Sequence, residues 1–220
     1  MVQIRDLDSW KRLPGVETGC LGPKYGFTSK DNGWAIFNQM RIPRTNMLMG
    51  LCEVSKEGEF SLVGDPRVLY SVMMYFRLNL VARIPELNWR SNKIMTRYCC
   101  VRRQFSNIDG QDLERKVIDY QPTTHQISRL VARNWISQVM GRPLIDEAFA
   151  EMNKIKSGQY DTMEGVHHVL AGFKALVCGR ATDDCEVARR VCGGAGFVAM
   201  SGFANMFDMV SPIPIFEGDN

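Results

Sequence analysis

No apolar stretch in this sequence is long enough to cross a bilayer, because Arg, Asn or Glu interrupts each one first. The N-terminal Met-Val-Gln-Ile-Arg-Asp lacks the apolar centre of a secretion signal. Long basic runs are missing as well. The formal net charge is only +3 and the cationic residues come as scattered pairs, a pattern that argues against nucleic acid and suits a small anionic ligand. There is no Cys-x-x-Cys, P-loop, Gly-x-Ser-x-Gly or His-Glu-x-x-His pattern, so phosphate-loop, nucleophile-elbow and zinc-helix chemistries have no support. The final Glu-Gly-Asp-Asn carries no Ser-Lys-Leu-type address.

Disulfide logic is absent too. Seven cysteines is an odd number, and Cys99 adjoins Cys100, which reads as a reducing compartment. Cys178, Cys185 and Cys192 recur every seven residues on one helix face, but two turns separate neighbours by about 10.5 Å, too far for one zinc ion. They are expected as compact buried residues. His167 and His168 point about 100° apart on a regular helix and could not share a metal.

What the sequence does contain is 45% hydrophobic residues, enough for a substantial core. Residues 1–66 are rich in Gly and Pro, with β-prone runs at 34–40 and 59–63 and a turn signal at Asp31-Asn32-Gly33. Val2-Gln3-Ile4-Arg5 reads as a strand already in a sheet, whose partners are expected to precede this chain. Beyond Pro66 turn formers nearly vanish, and Leu69, Val72, Met73, Phe76 and Leu80 recur at helical spacing. A long helix is expected over 68–105, kinked or split at Pro85. Further helices are expected over 122–140, 143–156 and 163–191, the last with a stripe of Val166, Val169, Leu170, Phe173, Leu176 and Val177, and with Lys174, Arg180 and Asp184 off it. The fold class is α+β: part of an antiparallel β-domain (1–66) followed by a four-helix-type α-bundle (67–220).

Three segments could carry chemistry. Cys192-Gly193-Gly194-Ala195-Gly196-Phe197 closes the last helix, either as a plain helix stop or as a place where backbone approaches a ligand. Val101-Arg102-Arg103-Gln104-Phe105 closes the first helix, where two guanidiniums could clamp a pyrophosphate or could be solvated charges that favour the helix dipole. Ser211-Pro212-Ile213-Pro214-Ile215-Phe216-Glu217-Gly218 sets a carboxylate after a proline-stiffened apolar run. That placement suits a general base, although from spacing alone an acidic residue complementing a following helix is the favoured reading.

The order of these motifs resembles the acyl-CoA oxidases of peroxisomal fatty-acid breakdown, a branch of the acyl-CoA dehydrogenase superfamily. Ile4-Arg5-Asp6-Leu7-Asp8, Leu13-Pro14-Gly15-Val16, Gly22-Pro23-Lys24-Tyr25-Gly26, Asp31-Asn32-Gly33 and Arg41-Ile42-Pro43-Arg44-Thr45-Asn46-Met47-Leu48 are similar to the family's middle β-domain. Val101–Phe105, Ile118-Asp119-Tyr120-Gln121, the glycine segment and Phe216-Glu217-Gly218-Asp219-Asn220 follow in the order of its first α-domain. The resemblance implies Glu217 as the base that removes a Cα proton from a fatty acyl-CoA while a hydride leaves Cβ for FAD, giving trans-2-enoyl-CoA. It implies that Arg102, Gln104, Phe105 and Gln121 approach the FAD of the partner subunit in a homodimer, with Gly193, Gly194 and Asp219 near the cofactor. Glu217 is expected to face a groove beside the glycine turn and the bundle. Arg190 stands where related dehydrogenases often carry a cofactor-contacting Gln.

Molecular oxygen would reoxidise the flavin to give hydrogen peroxide, and the setting implied is the peroxisome. The same likeness marks the chain as a partial one, without the family's N-terminal helical domain and truncated after Asn220, so that alone it is expected to be colourless and inactive. The long polar excursion over 106–119 favours an oxidase over the rival reading, an acyl-CoA dehydrogenase with a protein electron acceptor. A non-catalytic partner or pseudoenzyme is the third reading.

Overall fold

The computed structural model describes residues 1–105 and 113–218. They form two compact units, one of residues 1–24 and 28–69, the other of residues 25–27 and 70 onward.

The first unit holds two antiparallel ribbons. β1 (Val16–Cys20) pairs with β2 (Gly33–Phe37), and β3 (Cys52–Val54) pairs with β4 (Phe60–Leu62). The register sets Val16 opposite Phe37 and Cys20 opposite Gly33, so the Asp31-Asn32-Gly33 turn signal stands where β2 begins. The expected strands at 34–40 and 59–63 are present in shortened form. Val2–Arg5 pairs with no strand within the described residues. Asp6 Oδ1 accepts hydrogen bonds from the Ser9 amide and hydroxyl, the chain turns there, and Arg5 pairs with Arg12 across an isolated bridge. The bonds to Ser9 hold the exposed Asp6 carboxyl below its ordinary value.

The second unit is helical. α1 (Val68–Val101) is a single 34-residue helix, and α2 (Gln121–Lys156) is a single helix of 36 residues. Neither Pro85 nor Pro143 divides them, so the helices expected at 122–140 and 143–156 are one. Each proline removes one backbone bond, a loss that packing along so long a helix can offset. α2 opens with Pro122 in its first turn, where no amide bond is forfeited, and stops at Gly158 in a left-handed conformation. α3 (Met163–Val191) keeps the expected boundaries, with Glu164 in its first turn and Arg189 and Arg190 in its last, both signs matched to the helix dipole. Short helices α4 (Gly194–Phe197) and α5 (Phe203–Val210) and a 3-10 segment (Ile213–Gly218) return along α3.

Two buried clusters form the core, one around Met74, Leu78, Val81, Leu144 and Leu170, the other around Met95, Leu130, Cys178, Ala181, Cys185 and Phe203. Cys178, Cys185 and Cys192 are buried, and desolvation pushes the Cys185 and Cys192 thiols up to about 11 and about 12, as inert core thiols should be. The helical spacing seen in the sequence does not mark the buried face of α1: Leu69, Val72 and Phe76 are exposed while Met74, Arg77, Leu78 and Val81 are buried. The first turns of α1 are apolar all round, so periodicity alone cannot select a face.

Polar residues give a further correction. Lys174 and Asp184 are buried on α3, not solvated. Asp184 accepts from Arg133 of α2 at 2.9 Å, yet burial outweighs the ion pair and pushes its carboxyl up. Lys174 occupies the site described next.

Candidate active site

The sequence-predicted residues fall in two places. The first is the glycine turn at the C-terminal end of α3. Cys192 and Gly193 donate their amides back to Arg189 and Arg190, closing the helix. Gly193 then takes φ 56 and ψ −137, a region open only to glycine. Gly196 lies against α3 so closely that a Cβ there would stand 2.1 Å from the Arg189 carbonyl oxygen. At Gly193 and Gly194, by contrast, the space beyond the backbone is open.

That space belongs to a groove of about 520 Å³ lined by Tyr98, Arg102, Gln104, Val117, Gly193 and Gly194. A short strap carries its basic and amide side chains. The Val117 amide donates to the Arg102 carbonyl at 2.8 Å, the Gln104 amide to Arg115 at 2.9 Å, and the Tyr120 hydroxyl to the Gln104 carbonyl at 2.9 Å. Arg103 does not join Arg102, because its guanidinium donates to the Glu114 carbonyl at 2.8 Å. One guanidinium, not two, therefore lines the groove. Phe105 is exposed at φ 67 and meets the Tyr120 ring edge-on, with centroids 6.3 Å apart. Gln121 opens a neighbouring depression of about 570 Å³ with Pro122, Thr124 and His125.

Glu186 braces the same turn. Arg189 and Arg190 both donate to it at 2.7 Å, and the Arg189 bond first, then Arg190, holds its carboxyl down at about 2. Arg190 is thus occupied within its own helix. A depressed carboxyl contributes stability that is complete above its unfolded value of 4.5 and lost as pH falls through the folded value. Urea midpoints are therefore expected to drop between about pH 4.5 and 2, and Glu186→Gln is expected to flatten that part of the profile.

The second place is the Ile213–Gly218 segment. Phe216 is extended (φ −69, ψ 146), and Glu217 then turns left-handed (φ 61, ψ 3). Lys174 Nζ donates to the carbonyls of Pro214 and Phe216, and Arg77 Nη2 donates to the Glu217 carbonyl at 3.0 Å. Arg77 Nη1 lies 2.5 Å from His167 Nε2, and the His167 ring meets Tyr70 edge-on. The Phe216 ring packs edge-on against Phe27 at 5.5 Å. Glu217 is half-buried. Asp219 lies outside the described residues, as do residues 106–112 of the polar excursion.

Glu217 is not beside the glycine turn. Lys174 and Val191 are 17 residues apart on α3 (191 less 174), about 26 Å along the axis at 1.5 Å per residue. Lys174 and Arg77 escaped the sequence reading. The signal for Lys174 was present, since it follows Leu170 by four and precedes Val177 by three, on the buried stripe. Among the described residues no group of His, Cys, Asp and Glu is arranged to hold a metal.

Residues 70–220 match the acyl-CoA oxidase C-alpha1 domain. Over its full length the chain is 34% identical to peroxisomal acyl-coenzyme A oxidase 1 of Arabidopsis thaliana and 32% identical to the protein of that name from Mus musculus, covering 34% and 33% of them. The solved structure of Arabidopsis thaliana acyl-CoA oxidase 1 superposes with a TM-score of 0.92 at 32% identity, over 99% of this chain and 34% of that one. Acyl-CoA oxidase-2 of Caenorhabditis elegans, solved with FAD, ascaroside-CoA and ATP, gives 0.91 at 30% identity, over 100% of this chain and 33% of that one. The chain spans about a third of the length of the relatives it matches. By sequence over residues 70–220 and by backbone over nearly its whole length, the chain belongs to the acyl-CoA oxidase family.

Proposed function

We propose that this chain supplies the catalytic base and part of the FAD site of an enzyme that desaturates fatty acyl-CoA. Glu217 takes the acidic Cα proton of the acyl thioester, and the electron pair left at Cα forms the double bond to Cβ as the Cβ hydrogen departs as hydride. FAD, when bound, would supply the hydride acceptor, and molecular oxygen would be the final oxidant, giving hydrogen peroxide. The observation that carries the reading is the backbone of Glu217, a non-glycine residue in a left-handed conformation that surroundings must enforce and that clusters at working sites.

The groove at the glycine turn fits an anionic dinucleotide. Arg102 can meet a phosphate with paired N–H groups, Gln104 adds amide donors, and the open space at Gly193 and Gly194 admits close backbone approach. Phe105 and Gln121 flank it, and Asp219 continues the segment that carries the base. Because the groove and Glu217 lie far apart along α3, they serve different cofactors or different ends of one. This favours a homodimer in which Arg102, Gln104, Phe105 and Gln121 reach the FAD of the partner subunit. The relatives' names support a peroxisomal location.

The test is oxygen uptake by the longer protein that carries this chain. With a saturated fatty acyl-CoA, oxygen loss and hydrogen peroxide are expected in equal amounts. Flavin reduction that consumes no oxygen and needs a protein acceptor would make the protein a dehydrogenase, and no bound flavin would make it a non-catalytic partner.

A further inference from the structure

We infer that Lys174 and Arg77 are positioning residues that hold Glu217 in its working orientation, an inference that rests on Glu217 being the base. Lys174 is fully buried in the middle of α3. Burying an ammonium is costly unless its hydrogens are taken up, and here two of them go to the carbonyls of Pro214 and Phe216. Arg77, buried on α1, takes the next carbonyl, that of Glu217. Three carbonyls within four residues are thus drawn to cations from two separate helices.

The consequence is geometric. A left-handed conformation is disfavoured for a non-glycine residue such as Glu217, so an unheld chain would relax out of it. Fixing the 216 and 217 carbonyls fixes both peptide planes around Glu217, and with them the direction of its Cα–Cβ bond. His167 sets Arg77 in turn. A guanidinium only donates, so His167 Nε2 is the acceptor of this contact. Phe27 against Phe216 keeps the segment from sliding. A lysine that merely filled the core would have no need to reach this one segment.

The experiment compares Lys174→Met, Arg77→Met, Arg77→Lys and Glu217→Gln in the longer flavin-loaded protein. Three quantities are read: the rate of flavin reduction by acyl-CoA, the acyl-CoA dissociation constant, and amide exchange at Phe216–Gly218 against that in the middle of α3. Both methionine variants are expected to keep flavin and substrate affinity within about twofold and to slow reduction about a hundredfold, the cost of a small misplacement of a reacting group. Faster exchange is expected at 216–218 and not in α3, and Arg77→Lys, which retains a donor, is expected to recover part of the rate.

Unchanged exchange at 216–218 overturns the inference, as does an undiminished rate in both methionine variants while Glu217→Gln is dead. A Glu217→Gln variant that still reduces flavin removes the base itself and is thereby told apart from failure of the clamp. Should Lys174→Met not fold, Arg77→Met decides alone, with the same two readouts.

Discussion

Flavin-loaded protein carrying Glu217→Gln is expected to look unchanged in its visible spectrum and to reduce its flavin with fatty acyl-CoA about a thousandfold more slowly. General-base removal of this kind is worth about a hundred- to ten-thousandfold, and the amide keeps the size of the carboxylate while losing its basicity. The side-chain donors of Lys174 and Arg77 act on backbone carbonyls, not on the Glu217 carboxylate, so the substitution leaves the segment's hold intact. Stopped-flow bleaching of the flavin measures the effect. A Gln variant with an undiminished bleaching rate would end the proposal that Glu217 is the base.

The glycine turn provides the second large effect, read as a pair. Gly196→Ala puts a methyl against the backbone oxygen of Arg189, which cannot swing away as a side chain could. Overpacking of this severity costs about 3 kcal/mol, or about 10 °C in Tm for a protein unit of this size. Gly194→Ala meets nothing within 4 Å, so its Tm is expected to stay within about 2 °C of the parent. Its methyl does narrow the groove beside Arg102 and Gln104, and FAD retention is expected to weaken about tenfold, a loss of about 1.4 kcal/mol. Equal stability losses in the two variants would show that the open and closed sides of this turn are wrongly distinguished. Equal FAD retention in Gly194→Ala and parent would take Gly194 out of the cofactor site.

Much of the fold was legible because its signals are local. α3 was placed at its observed ends, since Glu164 and the Arg189-Arg190 pair mark the two poles of a helix dipole and the glycines follow at once. The ribbon β1–β2 was legible only in part. Asp31-Asn32-Gly33 announced the turn into β2, whereas Val16–Cys20, containing Glu17 and Gly19, has little β-propensity and forms a strand because Gly33–Phe37 pairs with it. Prolines 85 and 143 misled for the opposite reason, as the local penalty is real but long-range packing outweighs it.

The chemistry divides in the same way. From residue order alone came the family, the carboxylate at 217, the basic and amide side chains at 102 and 104, and the glycines at 193 and 194, because motif spacing is written along the chain. Only the tertiary structure decided that Arg102 lines the groove without Arg103, that the groove and Glu217 stand far apart on α3, and that Lys174 and Arg77 reach from two helices to one short segment. The last of these depends on which side chains reach which carbonyls across 40 to 140 positions of sequence, and on whether a buried charge finds a partner there. A cation on an apolar stripe reads as solvated until the fold brings carbonyls to it, since burial without them would cost more than the helix could recover.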